Sequence, residues 1–103
     1  MAQVQNINQT VEYQEGSVVS KEIINKPAVT VTIFAFARGQ GLSEHTAPYD
    51  ALVMITDGHA QIFVSHIQHD VKAGQMLLIP AYAPHALKAV KPFKMLLTMV
   101  KSS

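Results

Sequence analysis

Apolar residues recur along the chain in short runs rich in β-branched and aromatic side chains, and turn-forming residues separate these runs. The segment AVTVTIFAFA (28–37) shows strand alternation most clearly, with Val29, Val31, Ile33 and Ala35 on one face. No segment sustains the period of an amphipathic helix. About eight strands without a helix favour an all-β fold, either an antiparallel sandwich or a barrel.

Turn-forming residues predict where individual strands end. A first strand over 17–24 ends before Pro27, and Asp57-Gly58 is a strong hairpin signal between strands over 50–56 and 59–65. The other turn signals predict a loop at Gly39 and Gly41, a turn at Ala73-Gly74, and strands over 76–80, 84–90 and 92–100.

Length and composition indicate one domain with its own core. The chain has 103 residues, 49% of them hydrophobic and 15% charged, which favours a folded domain over disorder. The polar residues 1–16 are predicted to form an N-terminal arm or edge strand, and residues 17–103 the barrel domain. The N-terminus lacks the pattern of a signal peptide, and the apolar runs are too short to span a bilayer. We therefore expect a cytoplasmic protein.

Charge and cysteine content narrow the chemistry. The formal net charge of +1 gives no reason to expect nucleic acid or a membrane surface as a partner. The chain contains no cysteine, which excludes disulfides, thiolate metal sites and a cysteine nucleophile.

Two stretches carry glycine, histidine and proline at regular spacings. In the first, five residues separate Gly39 from His45; in the second, five residues separate Gly74 from Pro80, and His85 follows. These spacings resemble the two motifs of the cupin family over nearly the whole chain beyond the N-terminal arm. Six marked motif positions keep their residue type: Gly39, His45, Gly58, Gly74, Pro80 and His85.

The resemblance implies a single-domain jelly-roll β-barrel of the cupin type. The segments SEHTAPYDA and PHALKAVKPFKMLL are similar to those of small single-domain bacterial cupins of unknown function. In the family, two histidines and a glutamate of the first motif and the last histidine of the second bind a divalent metal inside the barrel. Carried over, this leaves His45 and His85 as metal ligands, with Ala47 and Ala51 at the other two positions.

Two histidines are fewer ligands than catalytic zinc or non-haem iron sites use. Asp50 is a candidate third ligand, provided that a bulge at Pro48 turns it inward. A buried imidazole needs a partner, and three alternatives stay open for His45 and His85. The first is a structural pair bridged by water or a hydroxyl. The second is a metal site for zinc, nickel, manganese, iron or copper, and the third is a site for an organic ligand.

The two alanines also remove bulk from the barrel interior, and cavities destabilise a core. Tyr82, at a position usually occupied by glycine, is a candidate filler that predicts an altered loop. Met54, Met76 and Met95 are flexible side chains that fill a core or line a pocket. The predicted pocket around the histidines contains Tyr49, Met54 and Tyr82. Three further histidines, at 59, 66 and 69, are predicted to be exposed on a hairpin.

Three functional hypotheses follow. The favoured one is a non-catalytic or small-molecule-binding barrel with a degenerate two-histidine site. The alternative is a metal-dependent oxygenase or isomerase that uses His45 and His85, with Asp50 or Tyr82 as acid or base. The third hypothesis is a homodimer, which is compatible with either of the others. Open sheet edges need covering, and the segment 18–24 is placed to extend a neighbouring sheet.

Overall fold

The structure, a computed structural model, describes residues 2–101 and confirms the all-β prediction: of these residues, 58% are in strands and 3% in a helix. Residue 1 of the predicted arm and residues 102–103 of the predicted barrel domain lie outside the described residues. Within residues 2–101, no helix is long and apolar enough to cross a membrane. A short 3-10 helix, Ile7–Gln9, precedes eight strands: β1 Val18–Asn25, β2 Val29–Phe36, β3 Gly41–His45, β4 Asp50–Val64, β5 Ile67–Lys72, β6 Met76–Ile79, β7 His85–Lys88 and β8 Phe93–Val100.

The strands form two antiparallel sheets that share β4. Sheet A has the order β1-β2-β8-β4-β6, and sheet B has the order β3-β7-β4-β5. The first half of β4 pairs with β8 and β6, while its second half pairs with β7 and β5. One long strand therefore passes from one sheet into the other, and the curled arrangement buries apolar side chains between the sheets.

The hairpin predicted at Asp57-Gly58 is wrong, because β4 continues through this pair. The pairing of β4 with β8 shifts register between Ile55 and Asp57, and Gly58 has φ +76°. A Cβ atom at Gly58 would overlap the carbonyl oxygen of Pro92. Gly58 therefore allows β4 to bulge and bend against the start of β8.

The real hairpin after β4 turns at Ser65 and His66, with φ values of +50° and +69°. Asparagine and glycine are the usual residues of such a turn. Serine and histidine are not, so the sequence does not mark this turn. The loop predicted at Gly41 also differs, since Gly41 begins β3 and pairs with Lys88 of β7. A Cβ atom at this glycine would overlap the carbonyl oxygen of Leu87, and the two strands could not approach as closely.

Apolar side chains form a main core between the sheets and a smaller cluster under the N-terminal arm. In the main core the rings of Phe36 and Phe93 stack at 4.6 Å between centroids. The small cluster joins Val11 of the arm to Ile33 and Ala35 on the outer face of β2. The main core contains Phe36, Ala51, Val53, Ile55, Ala60, Ile62, Val71, Ile79, Leu87, Ala89, Phe93 and Met95.

Polar contacts fix the arm to the outer face of sheet A. Tyr13 Oη donates to Asp57 Oδ2 at 2.6 Å, and the buried Lys94 ammonium donates to the backbone carbonyl of Asn8. Lys94 Nζ also lies 4.9 Å from the centroid of the Tyr13 ring. Burial, together with the Asp57 carboxylate, raises the pKa of Tyr13. We refer to Asn8, Tyr13, Asp57 and Lys94 as the arm cluster.

Candidate functional site

His45 and His85 lie side by side at the end of sheet B. His45 is the last residue of β3, His85 is the first of β7, and the two are direct partners in the strand pairing. Their ring centroids are 4.2 Å apart, with 62° between the ring planes. His85 is 8% exposed whereas His45 is exposed, so the pair extends from the barrel interior to its rim.

Each ring is held by a backbone carbonyl two residues earlier in the chain. His45 Nδ1 lies 2.8 Å from the carbonyl oxygen of Ser43, and His85 Nδ1 lies 2.8 Å from that of Ala83. A carbonyl only accepts, so both Nδ1 atoms carry the proton and the neutral rings keep a lone pair on Nε2. Neither Nε2 has a hydrogen-bond partner among residues 2–101. The pair therefore presents two nitrogen acceptors of fixed tautomer.

The structure does not bring a third ligand to the pair. Ala51 is buried in the main core and Ala47 is half-buried; neither has a donor atom. The predicted inward turn of Asp50 is not observed, because Asp50 is exposed and its Oδ1 accepts the backbone N–H of Ala81 at 2.9 Å. Over residues 2–101, no group of three or more histidine and acidic side chains is close enough to hold a metal ion.

The predicted pocket residues occupy different places. Met54 is 39% exposed and alternates with the buried Val53 and Ile55, so it lies on the outer face of sheet A and not around the histidines. Tyr82 is 71% exposed and does not fill the interior as predicted. Its φ of +68° is a backbone conformation typical of glycine, so the altered loop predicted at this position is not observed in its backbone angle. Tyr49 is half-buried, and Lys101 Nζ lies 5.8 Å from the centroid of its ring.

Of the methionines predicted as fillers, only Met95 lies in the main core. Met76 is 68% exposed. The half-buried apolar side chains that pack against the main core are Phe34, Val64, Leu77, Ala83, Leu97 and Met99.

The turn after β4 contacts both histidine-bearing segments, which the sequence does not indicate. The backbone N–H of Ser65 donates to the carbonyl of Pro84 at 2.7 Å, next to His85. His66 Nε2 lies 2.9 Å from the carboxylate of Glu44, next to His45. His66 is exposed as predicted, whereas His59 and His69 are half-buried.

Two antiparallel sheets with a histidine from each motif at one end define a barrel of the cupin class. The model of the AraC-like ligand binding domain family matches residues 27–100. The chain belongs to this family, whose barrel is of the cupin type. A search of curated protein sequences gave no match.

Solved structures share the whole barrel. A conserved protein of unknown function from Streptococcus pyogenes is 34% identical, with a TM-score of 0.95 over 100% of this chain and 90% of that chain. A cupin 2 conserved barrel domain protein from Leptotrichia buccalis is 45% identical, with a TM-score of 0.88 over 90% of this chain and 45% of that chain. A cupin superfamily protein from Desulfitobacterium hafniense is 26% identical, with a TM-score of 0.93 over 99% of this chain and 94% of that chain.

Proposed function

We propose that the protein is a small-molecule-binding barrel without catalytic activity, whose ligand is bound by Nε2 of His45 and Nε2 of His85. The observation that carries the proposal is the pair of Nδ1 bonds to backbone carbonyls, which leaves both Nε2 lone pairs available. A ligand for this pair interacts with the lone pair on each of the two Nε2 atoms. It is a divalent metal ion that keeps water in its other positions, or an organic molecule that donates two hydrogen bonds.

The donor set supports binding more than catalysis. Histidine ligands of metals usually donate their other ring nitrogen to a carbonyl or carboxylate, and both histidines fit that pattern. Two imidazoles can hold zinc, nickel, copper, manganese or iron, but catalytic sites commonly add a third protein ligand. The alanines at 47 and 51 supply none, and Asp50 is bonded to a backbone amide.

Thermal unfolding with each metal tests the proposal. If the ligand is a metal, addition of Ni²⁺, Zn²⁺, Cu²⁺, Mn²⁺ or Fe²⁺ after removal of bound metal with a chelator should raise Tm for at least one ion. A concentration of 100 times Kd stabilises the folded state by about 2.7 kcal/mol. His45→Ala and His85→Ala should abolish the shift, whereas His69→Ala, a histidine outside the pair, should keep it.

A screen of organic compounds covers the second class of ligand. A compound that raises Tm of the wild type but not of His45→Ala or His85→Ala supports the proposal. If no metal and no compound shows this dependence on both histidines, the proposal is wrong. Turnover of a substrate by metal-loaded protein, lost in both variants, would instead favour the oxygenase or isomerase alternative.

We infer that two copies pair through the outer face of sheet A. Met54 and Met76 are direct cross-strand partners on this face, 39% and 68% exposed, and Leu78 beside them is 60% exposed. Clustered exposed apolar side chains of this kind mark interaction surfaces. The edge strand β1 is a poorer contact, because it carries Lys21 and a register shift after Glu22.

Light scattering at micromolar concentration tests the pairing. The wild type should have twice the monomer mass, and Leu78→Lys should be a monomer because it places a charge in the apolar contact. Val90→Lys is the matched control, since Val90 is 49% exposed in the loop between β7 and β8 and should leave the dimer intact. A monomeric wild type contradicts the inference.

A further inference from the structure

Two loops meet beside the candidate site, one after β3 and one before β7. The backbone N–H of Ala81 donates to Oδ1 of Asp50 at 2.9 Å. The next N–H, that of Tyr82, donates to the carbonyl of Ala47 at 2.7 Å. Ala47 in the first loop and Asp50, the first residue of β4, therefore hold two consecutive amides of the second loop.

Tyr82 depends on this support. Its φ of +68° lies in the left-handed region, which disfavours any residue with a side chain. Its side chain is 71% exposed, so packing contributes little to holding the backbone. Strained backbone persists only where the surrounding structure determines it, and here the hydrogen bonds of Ala81 to Asp50 and of Tyr82 to Ala47 do so.

The same turn sets the direction of the carbonyl that orients His85. The N–H of Ala83 donates to the carbonyl of Pro80 at 3.1 Å, and the carbonyl of Ala83 lies 2.8 Å from His85 Nδ1. If the turn relaxes, this carbonyl rotates and Nδ1 loses its acceptor. The carbonyl that orients His45 belongs to Ser43 in β3 and lies outside the turn.

We propose that Asp50 is a positioning residue that fixes the tautomer of His85 through the turn at 80–83. A carboxylate binds a backbone N–H more strongly than a neutral acceptor does. Asp50 therefore acts on the site through Ala81 and not as a metal ligand. The importance of this positioning for ligand binding rests on the proposed function. The effect of Asp50 on the His85 tautomer does not require a ligand and is tested without one.

The test is the tautomer of each histidine in ¹⁵N-labelled protein, determined by NMR at a pH where the rings are neutral. In the wild type both His45 and His85 should carry the proton on Nδ1. Asp50→Ala should move a large share of His85 to the other tautomer and leave His45, the internal control, unchanged. Asp50→Asn keeps an acceptor and should resemble the wild type. Asp70→Ala, which removes a carboxylate elsewhere in the barrel, should also leave the tautomers of both histidines as in the wild type.

The strain at Tyr82 predicts a rescue. Glycine adopts φ +68° without cost, so Tyr82→Gly added to Asp50→Ala should return His85 to the Nδ1–H tautomer. If Asp50→Ala alone does not fold, the readout becomes folding itself: Tyr82→Gly should restore it, and a double variant that stays unfolded overturns the proposal. An unchanged His85 tautomer in Asp50→Ala, or no recovery in the double variant, overturns the proposal.

A metal titration separates this proposal from the proposed function. For Ni²⁺ or Zn²⁺, Asp50→Ala should weaken affinity by about 10- to 100-fold, as loss of a group that orients a ligand does, and Asp50→Asn should stay near the wild type. Equal affinity in Asp50→Ala and the wild type overturns the proposal. If the wild type binds no metal and no other ligand, the proposed function fails, and the tautomer measurement still decides the role of Asp50.

Discussion

The arm cluster and the histidine pair are two polar groups that the same barrel treats differently. In the arm cluster Tyr13 donates to Asp57, and Lys94 donates to a backbone carbonyl and lies over an aromatic ring. In the pair, His45 and His85 bond to the chain through Nδ1 alone, and both Nε2 atoms are left without a partner among residues 2–101.

This difference separates polar groups that hold the fold together from groups that are available to a ligand. A polar group removed from water costs free energy unless it is hydrogen-bonded. In the arm cluster the Tyr13 hydroxyl bonds to Asp57, and the Lys94 ammonium bonds to the backbone carbonyl of Asn8. Asn8 Oδ1 and Thr56 Oγ1 are buried without a partner among the described residues, so even this region is not fully satisfied. In the histidine pair His45 is exposed and His85 is buried beside it, and neither Nε2 is among the fully buried polar atoms of the described residues, so a ligand can reach both lone pairs.

The largest effect is expected at Gly58, beside Asp57 of the arm cluster. Gly58→Ala places a Cβ against the carbonyl oxygen of Pro92 and forces a left-handed backbone on alanine. The free energy of unfolding should fall by about 4 kcal/mol, at the exceptional end for one substitution, measured by urea denaturation.

Gly16→Ala is the matched control: Gly16 has φ +72° with nothing within 4 Å of an added Cβ. It should cost about 1–2 kcal/mol. Equal losses would show that the contact with Pro92 is unimportant.

A smaller loss is expected when Lys94 of the arm cluster is replaced. Lys94 is 6% exposed, and Lys94→Ala removes a charged hydrogen bond, worth about 1.5–3 kcal/mol. Ligand binding should be unchanged, whereas His85→Ala should abolish it. Lys91→Ala, an exposed control, should change stability by less than about 0.5 kcal/mol. Loss of ligand binding in Lys94→Ala would contradict the separation of the two regions.

The smallest effect concerns the hydroxyl of Tyr13, and it depends on pH. Burial raises the folded-state pKa of Tyr13 above the unfolded value, with a further contribution from Asp57, so the folded state favours the neutral phenol. This contribution is fully present below about pH 10, the ordinary tyrosine pKa, and is lost as pH rises beyond it. Tyr13→Phe should cost about 1 kcal/mol at pH 7 and lose this alkaline dependence.

Denaturation curves between pH 7 and 11 measure the dependence, with Tyr82→Phe as the exposed control. If the stability of Tyr13→Phe fell above pH 10 as steeply as that of the wild type, the ionisation of Tyr13 would not be its cause.

The alternating pattern predicted most of the strands, but two turns show what it does not contain. An Asp-Gly pair suits a hairpin, and glycine also suits a bulge, because both need positive φ. Asp57-Gly58 therefore gave no means of distinguishing a turn from a bend in one long strand. The true turn at Ser65-His66 has no glycine or asparagine, and tertiary contacts of Pro84 and Glu44 hold it instead.

The site was predictable only as far as motif spacing reaches. The spacing placed His45 and His85 together, but the bonds to Ser43 and Ala83 depend on the folded backbone. Met54 was misplaced for a different reason. Both faces of β4 are apolar near this residue, so alternation alone does not say which face turns inward.

The passage of β4 through both sheets has a consequence for the dynamics of the barrel. A strand that is hydrogen-bonded in two sheets couples their ladders, so neither sheet can separate without breaking bonds of β4. The barrel should accordingly open as one cooperative unit, with the amide protons of central β4 among the last to undergo hydrogen exchange. Its partners β7 and β8 follow it late in the chain, and the high contact order of such pairing makes folding slow compared with that of a helical bundle of this size.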